Sequence, residues 1–285
     1  MPNAADIKQA DLAHNILLLG YTGSGKTAQI LTLPGKTFVY IFDPSALHTL
    51  AGHDLDYELF MPSKLNLAAQ SLGKDKTTKL PKSDKPTKYK DDSGNIYLDF
   101  AEHLTEGVES GFFDQFDNVV VDSLTTFSDI VMDRVLELNG RKGQFPQQDD
   151  YPAQMVTIKS VLRELTGLDV RLLCTGHVEF KQDEDGGGKM MNVIRLTGQL
   201  RTTIPILFSD ILYCDLKSVP GADSQYIFKT VKDRHNPQVR CTLRDSKGKK
   251  LPEEVVVDIP DSLWKDPRGA CGLGGLILNA SEDTK

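Results

Sequence analysis

The feature that most constrains the fold is a glycine-rich turn between an apolar run and a segment with helical spacing. The stretch 15–33 reads NILLLGYTGSGKTAQILTL, in which Gly20, Gly25, Lys26 and Thr27 match the pattern G-x-x-x-x-G-K-[ST]. Glycines let the backbone curl so that successive N–H groups point inward at phosphate oxygens. Because a strand-like run precedes the turn and a helix-like run follows it, the stretch predicts a nucleotide-phosphate site rather than a flexible turn.

The residue types in this turn predict separate roles for its side chains. Lys26 is expected to reach the outer phosphates, and the Thr27 hydroxyl is expected to bind Mg²⁺. The helix that follows adds the positive end of its dipole to the site. The predicted nucleotide-binding residues are Gly20, Tyr21, Thr22, Gly23, Ser24, Gly25, Lys26, Thr27 and Ala28.

Composition narrows the class of protein. The chain has 285 residues, of which 39% are hydrophobic, and this length suits one large α/β domain with insertions. A net charge of −7 argues against a surface that is basic all over, so any nucleic-acid contact must be local. Because no signal peptide or membrane-spanning run is found, we expect a cytoplasmic protein without a membrane partner. The four cysteines form no C-x-x-C pair and are expected to be reduced core residues.

Two further apolar runs end in an aspartate. The run 37–42, TFVYIF, ends at Asp43 and is expected beside the first strand of a parallel sheet, near the phosphates. Asp43 then binds a metal water or orients an attacking water, or it only ends the strand and caps the next turn; both interpretations stay open. The run 116–121 ends at Asp122, the pattern that places a carboxylate beside Mg²⁺. Thr27 and Asp122 are the predicted metal-site residues.

Later residues supply candidates for sensing and for contacts between subunits. His177 ends the strand-like run VRLLCTGH, where it would sense the γ-phosphate or serve as an ordinary hydrogen-bonded residue. Lys232 and Arg234 follow the strand-like QYIFKTV and point to the same side if that strand continues. They would then reach a neighbouring subunit's γ-phosphate, or they lie at a solvated hairpin end. The predicted catalytic residues are Lys26, Asp43, His177, Lys232 and Arg234.

The sequence predicts one nucleotide-binding domain over residues 1–265, followed by a loose tail over 266–285. A lysine-rich, apolar-poor insertion lies at about 71–94 and cannot build a core. We interpret it as an exposed loop rather than a DNA-binding arm, because aspartates dilute its charge. The glycine-rich stretch after His177 is predicted to be mobile.

The order of these motifs resembles the RecA-like recombinase core, and in particular phage-encoded RecA-like P-loop ATPases of the single-strand annealing and recombination type. The resemblance covers roughly residues 15–240. It implies an α/β fold with a twisted, mainly parallel sheet and helices on both faces, to which this chain adds a C-terminal antiparallel hairpin extension. It also implies ATP and Mg²⁺ as cofactors, with Mg-ATP held by residues 20–27, and two DNA loops at about 139–151 and 178–197. Lys232 and Arg234 would act across the interface of a ring or filament.

Two departures from this family bear on hydrolysis. Ser45 stands where relatives carry a catalytic glutamate, two positions after the aspartate that ends the second strand. His177 stands where the sensor is usually glutamine. We therefore expect an ATPase with slow turnover.

The resemblance predicts ATP-dependent binding or annealing of single-stranded DNA during phage recombination or replication in the host cytoplasm. A single-strand DNA-binding protein is a further predicted partner. The alternative is a nucleotide-dependent switch or assembly factor that binds protein partners without DNA, which the acidic net charge favours. A small-molecule phosphotransferase is the weaker interpretation, because no arginine-rich lid follows the core.

Overall fold

The computed structural model describes residues 14–61, 96–183 and 188–282. Over these residues the strands form one nine-stranded sheet. The strands are β1 (Ile16–Gly20), β2 (Thr37–Ile41), β3 (Asp56–Leu59), β4 (Asn118–Asp122), β5 (Arg171–Asp183), β6 (Lys189–Ile194), β7 (Asp210–Lys217), β8 (Gln225–Lys229) and β9 (Glu254–Val256). The α-helices are α1 (Lys26–Ile30), α2 (Ala46–Leu50), α3 (Ile96–Ser110), α4 (Leu124–Leu138), α5 (Asp150–Thr166), α6 (Leu200–Thr203) and α7 (Gly272–Glu282). Short 3₁₀ helices occupy Phe112–Gln115, Pro205–Leu207 and Asp261–Leu263.

The strand order places β1 near the middle of the sheet. The order is β3-β2-β4-β5-β1-β7-β8-β9, with β6 paired to the outer part of β5. In this spatial order, each pair of neighbours in the run β3-β2-β4-β5-β1-β7 is parallel. The β7–β8 and β8–β9 pairs are antiparallel. The predicted α/β fold, with a mainly parallel sheet and C-terminal antiparallel strands, is therefore confirmed.

The central strands are rich in buried apolar residues because helices cover both faces of the sheet. Alternate residues of β1 enter different clusters: Leu17 and Leu19 pack with residues of α3, α4 and α5. Ile16 and Leu18 pack with residues of α1, α2 and α7 on the other face. A parallel sheet buried on both faces needs such continuous apolar strands.

One expectation about strand order is wrong. The sequence placed the strand ending at Asp43 beside β1, but β4 and β5 lie between β2 and β1. Both intervening strands have apolar rows that are fully buried, including Val119, Val120, Leu172 and Leu173. These rows suit the centre of the sheet, and β2 pairs instead with β3 and β4.

The stretch 178–197, which the resemblance assigned to a DNA loop, contains a β-hairpin. The second half of β5 pairs antiparallel with β6, from Val178 opposite Ile194 to Asp183 opposite Lys189. Val178 and Ile194 are buried in the main core, so the base of the hairpin is anchored. The described part of this stretch is therefore a hairpin rather than a loop, and its mobility stays a prediction.

The other predicted DNA loop, 139–151, is tied to its helix by a buried carboxylate. Asp150 is fully buried and accepts hydrogen bonds from the Gln147 N–H at 2.7 Å and the Asn139 side chain at 2.6 Å, and from Arg141. Helix α5 begins at this aspartate, so the loop ends earlier than predicted. Its Phe145 side chain is 93% exposed.

The predicted loose tail after residue 265 is also corrected. Helix α7 covers Gly272–Glu282, and Leu273 and Ile277 are buried against the core that contains α1. Its first turn is fixed to α1 and the residues after it, because the Leu273 N–H donates to Gln29 Oε1 at 2.9 Å and the Gly274 N–H donates to Thr32 Oγ1 at 3.0 Å. A Cβ on Gly274 would lie 1.6 Å from the Thr32 carbonyl oxygen, so the helix approaches too closely for any side chain there.

Two further expectations concern cationic residues. The strand before Lys232 and Arg234 does not continue to them, because β8 ends at Lys229. Asp233 folds the chain into a turn by accepting the N–H groups of His235 and Asn236, both at 2.7 Å. The lysine-rich insertion at 71–94 lies outside the described residues.

Candidate functional site

The phosphate loop follows β1 directly and is shaped by glycines. Gly23 and Gly25 have φ angles of 81° and 83°, in the left-handed region that side chains disfavour. At Gly20 the constraint is space, since a Cβ there would lie 2.5 Å from Ser24 Oγ and 2.6 Å from the Cys214 carbonyl oxygen. The turn therefore closes tightly against β7, and Lys26 begins α1.

Lys26 is held inside this turn. Its side chain is buried, and its Nζ donates to the carbonyl oxygens of Gly20 at 2.9 Å and Tyr21 at 2.8 Å. Burial lowers the pKa of the ammonium group, while the nearby carboxylates of Asp122 and Asp43 oppose this shift. The loop that the motif assigns to the phosphates therefore encloses the Lys26 amino group.

Asp122 ends β4 and meets two hydroxyl groups. Its Oδ2 accepts from Thr27 Oγ1 at 3.0 Å, and its Oδ1 accepts from Thr175 Oγ1. The carboxyl group is buried, and this desolvation raises its pKa while both hydroxyl bonds act in the opposite direction. The two predicted metal-site residues are therefore in contact, although they are far apart in sequence.

Asp43 lies close to this pair for a reason that the sequence did not supply. The Asp122 carbonyl oxygen accepts from the backbone N–H groups of Phe42 at 2.7 Å and Asp43 at 3.2 Å. The end of β2 is thereby attached to the end of β4 rather than to β1. The Asp43 carboxylate also accepts from the Ser45 N–H at 2.9 Å and from the Ser45 hydroxyl at 2.8 Å, so it caps the turn as well.

His177 completes the edge of the site. It pairs with Gly20 in the β1–β5 register, which places it beside the start of the phosphate loop. Its Nε2 lies 3.6 Å from Asp43 Oδ2, and its backbone N–H donates to Thr125 Oγ1 at 3.0 Å. The imidazole holds the pKa of Asp43 well below its usual range, which keeps that carboxylate ionised at neutral pH.

Of the seven predicted catalytic and metal-site residues, the structure brings five together, and the other two lie in the turn after β8. Lys26, Thr27, Asp43, Asp122 and His177 line the carboxyl edge of the parallel strands around the loop 20–28. Lys232 and Arg234, by contrast, are exposed, and neither has an ion pair or a hydrogen bond within the described part of the chain. Their predicted role at a neighbouring subunit stays a prediction.

The phosphate loop has an additional contact that the sequence did not indicate. The Tyr21 hydroxyl donates to Asn192 Oδ1 at 2.9 Å, and Asn192 Nδ2 donates to Asn236 Oδ1 at 3.0 Å. The loop is thereby connected to strand β6 and to the turn that carries Lys232 and Arg234. Nothing in the spacing of these residues predicts the connection, because the three lie on segments far apart in the chain.

Two other residues at the site were missed for the same reason. Thr175 is an ordinary residue of a buried strand in the sequence, and only the strand order places its hydroxyl on Asp122. Tyr226 of β8 is 37% exposed, and its ring atom Cδ1 lies 2.9 Å from where a Cβ on Gly25 would be. Its aromatic ring therefore lies against the phosphate loop.

The residues present fit a P-loop magnesium site. Such a site takes a hydroxyl oxygen and a water-mediated carboxylate from the protein and further oxygens from the phosphates. Thr27 and Asp122 supply this donor pair in direct contact with one another. Over residues 14–61, 96–183 and 188–282 there is no cluster of three or more His, Cys, Asp or Glu that would hold a metal without phosphates.

A search for membrane-spanning helices found none of sufficient length and hydropathy among the described residues. A search of curated proteins found no match. The family model described as AAA domain matches residues 13–240, most of the chain and all of the site residues above. The chain therefore belongs to this AAA-domain family of P-loop NTPases, with residues 13–240 as its ATP-binding domain.

Proposed function

We propose that this protein is a Mg²⁺-dependent ATPase. The observation that carries the proposal is the 3.0 Å contact between the Thr27 hydroxyl and the Asp122 carboxylate, beside the buried Lys26. These side chains supply an ammonium group for the outer phosphates, a hydroxyl for the metal and a carboxylate for its water shell. When bound, Mg²⁺ neutralises the charge of the phosphates.

Asp43 and His177 are the groups that we propose act near the attacking water. The ionised Asp43 carboxylate accepts a hydrogen bond from that water, and His177 responds to the γ-phosphate from its position opposite Gly20. Ser45 donates its hydroxyl to Asp43 and so occupies one of the carboxylate oxygens. Because a carboxylate with a lowered pKa is a weak general base, we expect slow turnover.

The experiment that tests this activity combines nucleotide binding with phosphate release. Wild-type protein is expected to bind a fluorescent ATP analogue and to release phosphate slowly in the presence of Mg²⁺. Lys26→Ala is expected to lose both, whereas the exposed Lys247→Ala is expected to retain both. A wild-type protein that binds no nucleotide would contradict the proposal.

A second proposed activity is binding of single-stranded DNA, and one surface favours it. The Phe180 side chain is 50% exposed, and its ring centroid is 6.0 Å from that of the exposed His235. Arg234 directly precedes His235 in the chain and Lys232 lies three residues before it, and neither cation has an ion-pair partner among the described residues. Exposed rings on which bases stack, together with unpaired cations for phosphates, are typical of single-strand binding surfaces.

The connection from Tyr21 through Asn192 to Asn236 supports coupling between ATP and this surface. On the resemblance to RecA-like proteins, the proposed setting is recombination or replication of phage DNA. In the same proposal, the protein assembles into a ring or filament in which Lys232 and Arg234 face a neighbouring nucleotide. A single-strand DNA-binding protein would be a further partner.

Fluorescence anisotropy with labelled single-stranded DNA tests this second activity. Salt-sensitive binding that ATP strengthens, and that Phe180→Ala and Lys232→Ala weaken, is the expected result. Val231→Ala, which removes an exposed apolar side chain next to Lys232 in the chain, is the control. Nucleotide binding without DNA binding under any condition would support the alternative, a nucleotide-dependent switch that binds protein partners.

A further inference from the structure

A buried threonine outside the recognised motifs contacts the proposed metal site. Thr175 lies in β5, the strand between β4 and β1, and its side chain is fully buried. In the register of these strands it lies opposite Leu18, one residue beyond the Cys174–Val121 pair. This position puts its hydroxyl beside the end of β4, where Oγ1 donates to Asp122 Oδ1.

The two oxygens of Asp122 therefore have separate partners. Oδ2 faces Thr27, which opens the helix after the phosphate loop, and Oδ1 faces Thr175 in the sheet. A carboxylate with one hydrogen-bonded oxygen can rotate about its Cβ–Cγ bond, whereas donors on both oxygens fix its plane. Hydrogen bonds to a carboxylate at a metal site commonly change metal affinity by about 10- to 100-fold when they are removed.

We infer that Thr175 is a positioning residue that orients Asp122 for Mg²⁺. This inference rests on the proposed function, because it concerns the magnesium that accompanies the nucleotide. Thr175 itself contacts neither the nucleotide nor the metal in this account. Its hydroxyl holds the Asp122 carboxylate with Oδ2 toward Thr27, so that the pair presents both protein oxygens to the metal and its water.

The test measures how much Mg²⁺ is needed for nucleotide binding rather than the rate of hydrolysis. Binding of a fluorescent ATP analogue is titrated with Mg²⁺ from an EDTA-buffered baseline. Thr175→Val, which keeps the shape and removes the donor, is expected to raise the half-saturating Mg²⁺ concentration about tenfold or more. Thr175→Ser, which keeps the donor, is expected to stay within about twofold of wild type. Binding in EDTA is expected to be equal in all three proteins.

A matched control separates this effect from general destabilisation. Thr32 is also fully buried, and its hydroxyl donates to the Gln29 carbonyl oxygen at 2.8 Å and accepts from the Gly274 N–H at 3.0 Å. Thr32→Val therefore loses comparable bonds away from Asp122 and is expected to leave the Mg²⁺ requirement unchanged. If Thr175→Val does not fold, Thr175→Ala, which only removes atoms, replaces it.

The outcomes of this experiment are distinct. A Thr175→Val protein with the wild-type Mg²⁺ requirement would overturn the inference and leave the proposed function intact. Equal losses in Thr175→Val and Thr32→Val would also overturn it, because the role of Thr175 would then be structural. If Mg²⁺ does not change the affinity of the wild-type protein for the nucleotide, the proposed function is overturned, and the inference with it.

Discussion

The phosphate-loop edge differs in how its functional groups are held from the surface formed by Phe180 of the β5–β6 hairpin and by Lys232 and Arg234 of the turn after β8. At the loop, Lys26 and Asp122 are buried and hydrogen-bonded to neighbours from separate strands. On this second surface, Phe180, Lys232 and Arg234 are exposed. A preorganised set of buried polar groups can bind only a ligand that matches it, whereas exposed cations and rings accept many partners. This difference explains why the first region supports a specific chemical assignment and the second only a class of partner.

The largest expected effect is at Lys26. Lys26→Met removes the buried ammonium group, and we expect ATP affinity to fall more than about 100-fold, since the phosphates lose their closest protein cation. Stability of the nucleotide-free protein is expected to stay equal or rise, because burial of the ammonium group is unfavourable. Isothermal titration calorimetry and thermal unfolding measure the two quantities. If the ATP affinity of Lys26→Met stays within about twofold of wild type, the assignment of the loop as the phosphate-binding site is contradicted.

The next effect concerns the water that attacks the γ-phosphate. Asp43→Asn keeps the turn with Ser45 but removes the charge, and we expect kcat to fall about 10- to 100-fold with little change in KM. His177→Ala is expected to lower kcat in the same range, and the double variant less than additively, because the side chains are 3.6 Å apart. Fully additive losses would contradict a shared role.

A stability prediction compares the two faces of α7. Leu273→Ala is expected to destabilise the protein by about 2–5 kcal/mol, since this side chain is fully buried against α1. Leu278→Ala removes the same atoms from a side chain that is 40% exposed and is expected to cost less than about 1 kcal/mol. Urea unfolding curves measure both. Equal, small effects would restore the interpretation of this segment as a loose tail.

The smallest expected effect is on acid stability. Because the pKa of Asp43 is below its ordinary value, its ionised form stabilises the fold above the unfolded pKa of about 3.9. This stabilisation is lost as the pH falls below that value. Asp43→Asn is therefore expected to show a smaller drop in melting temperature between pH 7 and about pH 3 than wild type, whereas the exposed Asp169→Asn is expected to follow wild type. An equal drop in Asp43→Asn and wild type would contradict the stabilising interaction between the Asp43 carboxylate and His177.

The sequence predicted the features that depend on local chain geometry. The loop 20–28 could be recognised because its glycines, its lysine and its threonine act within one turn. Asp122 could be recognised because it closes an apolar strand, and its neighbour Ser123 caps α4 by accepting from the Thr126 N–H. These features need no knowledge of which strands are neighbours.

The features that the sequence did not predict depend on strand order or on a single side chain. Strand β2 was expected beside β1, but it pairs with β4. Asp43 still reaches the site, because its backbone N–H donates a hydrogen bond to the Asp122 carbonyl oxygen. Thr175 gave no signal, since a threonine is common in any buried strand. The sequence left open whether the strand before Lys232 continues, and the structure ends it at Lys229 before the turn at Asp233. The glycines of α7 hid the helical pattern of its apolar residues.

The most direct test of the central claim is Mg²⁺-dependent nucleotide binding by wild type and Asp122→Asn, measured with a fluorescent ATP analogue. We predict that Mg²⁺ strengthens binding by wild type, because Thr27 and Asp122 together supply the protein oxygens for the metal. In Asp122→Asn we predict that this strengthening is lost while binding in EDTA is retained. An equal response to Mg²⁺ in the two proteins would contradict the account.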